Sequence, residues 1–185
     1  MRPIVSLLFL ASAATAAPAS AQMLVIGEPA AVACYENALA RRSDREALED
    51  CNAALELPTQ LRVNRAASYV NRGVILMHRG RSEDALADYD RAEAIGLPEP
   101  TGVALNRSSA FIRLGRMQEA LAQTDIIIEA DDRHLAEAWF NRGVALESLG
   151  ETTAAYNAYS RALDERPGWR LAEIELERFT VRSGS

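Results

Sequence analysis

An asparagine side chain offers a donor and an acceptor on one planar group, so asparagines at a regular interval can bracket the backbone of an extended chain without reading its side chains. Asn71, Asn106 and Asn141 stand thirty-five residues apart, each followed by an arginine, Arg72, Arg107 and Arg142. The arginines are expected to pair with acids of a neighbouring element rather than with a ligand, and exposed pairs of that kind add little stability. Other residues with chemistry to offer are sparse. Neither of the 2 histidines, His78 and His134, has cysteines or carboxylates at metal-ligand spacing beside it, so both read as surface or groove side chains and no metal site is expected. Every cation is an arginine, which excludes Schiff-base chemistry, and there is neither a glycine-rich phosphate loop nor a nucleophile elbow. Asp131 and Asp132 fall at a helix end ahead of the next helix start, where acids are common. The reading is of a non-catalytic protein that needs no cofactor.

The first residues read as a secretory signal peptide: Met1-Arg2-Pro3, an apolar run from Ile4 to Leu10, and small residues ending at Ala19-Ser20-Ala21. That run is short of the roughly 20 apolar residues a bilayer requires, and Cys34 is too far from the cut to carry a lipid. Cleavage after Ala21 is expected, with a periplasmic or secreted product; the absence of lysine fits a GC-rich bacterial genome. No other stretch is apolar enough for a membrane helix. A net charge of −6 without a basic run argues against a nucleic-acid partner, whose phosphates need clustered cations. Two cysteines in an exported chain point to one disulfide.

What must position the asparagines is a repeat. The interval that links them also links Gly73, Ser108 and Gly143, then Gly80, Gly115 and Gly150, and in the second half of each unit Ala85, Ala120 and Ala155, Tyr89, Thr124 and Tyr159, and Ala92, Ile127 and Ala162. Within a unit the apolar positions, such as Tyr69, Gly73 and Leu76, then Ala85, Leu86, Tyr89 and Ala92, follow a helical period. Gly80, Gly115 and Gly150 stand where the first helix would end in a left-handed residue. Each unit is therefore expected to be a helix hairpin. Small residues at Gly73 with Ala85, and Gly143 with Ala155, allow close approach, while Leu76, Tyr89, Leu146 and Tyr159 fill the seam.

The run Ala138-Trp139-Phe140-Asn141-Arg142-Gly143, followed by Gly150, Ala155, Tyr159, Ala162 and Pro167, resembles the tetratricopeptide repeat. The resemblance covers Ala66 to Leu97 well and Thr101 to Asp132 more weakly, because Ser108 replaces the family's glycine and Asp132 its proline. The family unit is 34 residues; here an extra residue such as Pro100 separates units. The resemblance implies an all-α, right-handed solenoid whose first helices line a concave groove for a peptide or helix of a partner protein. On that implication the groove comprises Val70, Asn71, Val74, Met77 and His78, then Leu105, Asn106, Ser109, Ile112 and Arg113, then Phe140, Asn141, Val144, Glu147 and Ser148. The asparagine series is similar to the ladder in the repeat superhelix of O-GlcNAc transferase, although no transferase domain fits here. The carboxylate clamp of chaperone-binding repeats is not expected, since Val70, Val74, Phe140 and Val144 occupy its places and only Arg113 could substitute.

The organisation expected is a signal peptide over 1–21, a degenerate hairpin over 22–65, three repeats at about 66–99, 101–134 and 136–169, and a capping helix and tail over 168–185. In the degenerate hairpin the first helix is expected from about Ala30 to Arg41, and Ser43-Asp44-Arg45-Glu46 reads as a capping box opening the second. Cys34 takes the seventh place of the register and Cys51 the twenty-fourth, so the two should face each other; the alternative is two buried thiols packed as small apolar residues. Trp169 to Arg182 reads as a cap with Leu171, Ile174 and Phe179 along one side. Two functions remain open to this plan: an adaptor that binds a partner's peptide or helix, or an assembly subunit, with self-association allowed, whose groove stays empty.

Overall fold

The structure, a computed structural model, describes residues 21–25, 27–96 and 100–179; the expected leader, apart from Ala21, lies outside them. Among the described residues there are nine helices and no strand: α1 Pro29–Leu39, α2 Arg45–Glu56, α3 Arg62–His78, α4 Ser82–Ile95, α5 Pro100–Arg113, α6 Met117–Ala130, α7 Leu135–Ser148, α8 Thr152–Glu165 and α9 Arg170–Arg178. They pack as four hairpins, α1 with α2, α3 with α4, α5 with α6 and α7 with α8, and α9 closes on α8. The first helices also touch one another in sequence, α1 to α3 to α5 to α7, whereas α2, α4 and α6 pack on the first helices to either side of them and α8 on α7 and α9. Two layers result, the first helices forming the inner one: an all-α tetratricopeptide-like solenoid.

The turn glycines explain why the period survives. Gly80, Gly115 and Gly150 have φ of 75°, 74° and 81°, a region that costs a residue with a Cβ. At each, the glycine N–H and the next N–H reach back to the helix, as where Gly80 N–H donates to Met77 O at 3.0 Å and Arg81 N–H to Leu76 O at 2.9 Å. This is the Schellman closure, repeated unchanged at all three turns.

Inside the hairpins the close approach is glycine against tyrosine rather than glycine against alanine. A Cβ on Gly73 would stand 2.3 Å from the Tyr89 ring, and one on Gly143 would stand 2.6 Å from the Tyr159 ring. The middle hairpin solves the same seam differently: where the glycine becomes Ser108, the tyrosine becomes Thr124, and both are fully buried. The serine hydroxyl donates to Leu105 O at 2.8 Å, so the added polar atom is satisfied.

The first hairpin is held by the expected disulfide, Cys34 to Cys51, with Cα atoms 4.6 Å apart. Both cysteines pack with Ala38, Ala47, Val74 and Ile75. The second helix opens one residue later than the capping box places it. Asp44, not Ser43, is the N-cap: its carboxylate accepts from Ala47 N–H at 3.0 Å, and Arg42 fixes it from the other side. That hydrogen-bonding with Arg42 and with Ala47 holds the Asp44 carboxyl below its ordinary pKa.

The cap also docks by a different stripe. Ala172 is fully buried, whereas Leu171 and Ile174 are 42% and 41% exposed. Trp169, Leu176 and Phe179 join Ala172 on the core. The small alanine lets α9 approach α8 closely, and that approach turns the Leu171 and Ile174 side outward.

Candidate functional site

The inner face is not an open channel. Residues 21–25 cross it in extended form, and the asparagines hold their backbone. Met23 N–H donates to Asn71 Oδ1 at 3.0 Å, and Asn71 Nδ2 donates back to Met23 O at 2.9 Å. Two residues earlier, Asn106 Nδ2 donates to Ala21 O at 3.0 Å. One amide thus takes both backbone groups of one residue, as a neighbouring strand would. Asn141 behaves differently: its Nδ2 donates to Ser108 Oγ at 2.8 Å and Ser109 Oγ at 3.1 Å, so it ties two repeats together.

Side chains of the segment alternate as in a strand. Val25 is buried with Ala31, Ala54 and Ala67, and Met23 packs on the same group and on the main core. Leu24 between them is 66% exposed. Ala21 lies over Gly102, where a Cβ would come within 3.2 Å of its methyl.

The structure sorts the expected groove residues into three sets. Val70, Asn71, Leu105, Asn106 and Ser109 form the buried floor beneath and beside the segment, each 2% exposed or less. Val74, Met77, Phe140 and Val144 are interior: Val74 packs on the disulfide, and the Phe140 ring lies 5.4 Å from Tyr159 and 5.1 Å from Trp169. Ile112 is buried as well. They leave the expected lining because a short array closes over its own inner face, with α1 and the cap covering either end. His78, Arg113, Glu147 and Ser148 are at the rim. Glu147 is engaged by Tyr159 Oη at 3.0 Å and Arg178 at 2.7 Å. Ser148 Oγ donates to Val144 O. His78 has a buried Nε2 without a partner, and burial, then Arg41 and Arg113, hold its pKa below the usual histidine value.

The arginine series pairs within the array. Arg72 grips Asp88 with two bonds at 2.7 and 2.8 Å and reaches Asn52 of the preceding hairpin. Arg107 meets Asp90 and Glu93, and Arg142 meets Asp125. No group of three or more metal-ligating side chains occurs among the described residues, and no described helix is long and apolar enough to cross a membrane. What sequence reasoning missed is residues 22–25 and Gly102. The segment is too short to carry a period, and nothing in its composition marks a ligand for the asparagines.

The Tetratricopeptide repeat family model matches residues 105–168, spanning α5 to α8 with their two turn glycines. The chain contains tetratricopeptide repeats. Its fold is similar to the NMR structure of the first TPR domain of the human RPAP3 protein, with a TM-score of 0.56 and 25% identity, over 61% of this chain and 87% of that one. It is also similar to the FK506-binding protein-like protein of Mus musculus, 30% identical over 118 residues, 60% of this chain. The matched region spans only 34% of that relative. Tetratricopeptide repeats form a protein-interaction fold, and the inner face here meets a peptide backbone as such a fold would.

Proposed function

We propose that this chain is a non-catalytic adaptor that binds an extended peptide segment of a partner protein along its inner face, in the periplasm after export. The observation that carries the reading is the bracket: Asn71 and Asn106 grip an extended backbone through both kinds of backbone group. Such a grip reads chain direction and spacing but few side chains, which suits a protein that holds a segment rather than transforms it. Export is supported by the leader pattern of the first twenty-one residues and by a disulfide in the weakest hairpin.

Native purification from periplasmic extract, with mass-spectrometric identification of what co-elutes, tests this when run beside the Asn71→Ala, Asn106→Ala double variant. The partner should be lost from the variant while helix content is unchanged. A partner retained at wild-type yield moves the binding surface elsewhere. A second reading, an assembly subunit, is favoured by Leu171 and Ile174, which stand exposed on the terminal helix. Sedimentation velocity separates the two: a concentration-dependent oligomer abolished by Leu171→Ser, Ile174→Ser supports assembly through that helix.

A further inference from the structure

Resting on that reading of the inner face, we infer that residues 21–25 are an intramolecular ligand: they occupy the site in the form a partner peptide takes, and a partner must displace them. The segment has the features of a bound peptide rather than of a structural element. It belongs to no helix or strand. Its backbone is held by two side-chain amides from different repeats, and it leads into the first helix, which begins at Pro29. Ala21 and Met23 are two residues apart, about 7 Å in an extended chain. Packed helices stand about 8–10 Å apart, so an extended chain crossing them, met part-way by the asparagine side chains, offers alternate residues to successive asparagines.

The fit of the segment is incomplete, and the incompleteness is what makes it replaceable. Asn106 Oδ1 is buried with no hydrogen-bond partner, although its Nδ2 is used. At Asn71 the extended backbone satisfies both halves of the amide; at Asn106 it satisfies one. A peptide that presents an N–H to Asn106 Oδ1 completes the bracket and gains over the chain's own segment. Cleavage after Ala21, expected from the leader, removes the carbonyl that Asn106 Nδ2 now uses and leaves the Asn71 bracket in place. The mature chain would then hold its own segment by Asn71 alone, with the Asn106 position open to a partner.

The segment also specifies the partner's pattern. The residue over Gly102 is small, the residue two further on has a free N–H and an unbranched apolar side chain, and the residue after another two is aliphatic and enclosed by Ala31, Ala54 and Ala67. Of the residues between, Leu24 faces solvent and its place is unrestricted, whereas Gln22 is half-buried beside Val70 and Gly102. The partner is thus an extended small-x-apolar-x-apolar peptide without proline at the central position.

The test titrates a fluorescent acetyl-Ala-Gln-Met-Leu-Val-amide peptide into the full chain, wild type and Met23→Pro, with Asn71→Ala as a third protein and circular dichroism to confirm helix content. Proline at 23 lacks the N–H that Asn71 accepts. A tether this short holds the wild-type segment at millimolar effective concentration, so Met23→Pro should bind the peptide at least tenfold more tightly, and Asn71→Ala more weakly than either. Equal affinity for wild type and Met23→Pro, with Asn71→Ala still impaired, overturns the intramolecular ligand and leaves the groove reading standing. Equal affinity in all three, or binding to none, overturns both. Hydrogen exchange on unmutated protein gives an independent readout: saturating peptide should expose the Met23 amide, and continued protection with peptide bound overturns displacement.

Discussion

The two ends of the inner face are closed by different chemistry. At the first repeats the closure is polar and runs through backbone: Asn71 and Asn106 hold residues 21–25, and the disulfide-linked α1 and α2 stand behind. At the last repeat the closure is aromatic. Phe140 is enclosed by Tyr159 and Trp169, Phe179 lies tilted against Tyr159, and α9 is tied back by Arg178 to Glu147. Hydrogen bonds to backbone can be exchanged for equivalent bonds to another backbone, or to water, at small net cost. Aromatic side chains without such a replacement leave a cavity. The first end is therefore built to be reoccupied and the second to stay shut.

The strongest way to break that contrast is at the shut end. Phe140→Ala should cost about 3–5 kcal/mol, as large-to-small changes of buried aromatics do, measured by urea unfolding. A cost below about 1 kcal/mol would show that the aromatic closure is as replaceable as the polar one. Next in size is the disulfide: replacing Cys34 and Cys51 by alanine, or reducing the wild type, should cost about 3 kcal/mol for a bridge of sequence separation 17. That loss should appear as early exchange of α1 and α2 amides, with α7 to α9 unchanged.

A smaller effect sharpens the description of the middle hairpin, where Ser108 and Thr124 replace the outer Gly and Tyr pair. Ser108→Gly and Thr124→Tyr should each destabilise alone, one by emptying space and removing one acceptor of the Asn141 amide, the other by pressing a ring on Ser108. Together they restore the outer pattern, and their coupling should be favourable by about 1 kcal/mol. Simple additivity would mean that the two positions do not share the seam.

The smallest effect is one of pH. His78 lies at the first end with its pKa held down by burial and by Arg41 and Arg113. Its unfolded form binds a proton more readily than its folded form, so stability should be full above the ordinary value of 6.5 and fall as pH drops through it toward the lowered one. His78→Gln should flatten that part of the pH–stability curve; an unchanged slope would assign it to other groups.

The array itself was legible because few residue types repeat at one interval, and each has a local reason: glycine for a left-handed turn, small against large in the seam. Asn71 and Asn106 were legible as able to bracket a backbone for the same reason, whereas Asn141, read the same way, ties two repeats together; the cysteine pair followed from the register. What occupies the bracket was not legible. Residues 22–25 carry no period, and only the packed repeats bring Met23 to Asn71 across a large separation in sequence. The stripe by which α9 docks was not legible, because Leu171 and Ile174 share a face as plausibly as Ala172 and Leu176 do; hydrophobicity favours the former, and the close approach a small residue allows decides for the latter. Asp44 and Ser43 are both good caps, and the position of Arg42 selects between them.

The central claim is that Asn71 and Asn106 hold an extended backbone in bonds that can be exchanged. Amide hydrogen exchange at Met23, in wild type beside Asn71→Ala and Asn141→Ala, tests it most directly. Slow exchange in wild type and in Asn141→Ala, with fast exchange in Asn71→Ala and unchanged protection in α3 and α5, is the predicted result. A Met23 amide that exchanges freely in the wild-type chain, or one that stays protected without the Asn71 amide, would contradict it.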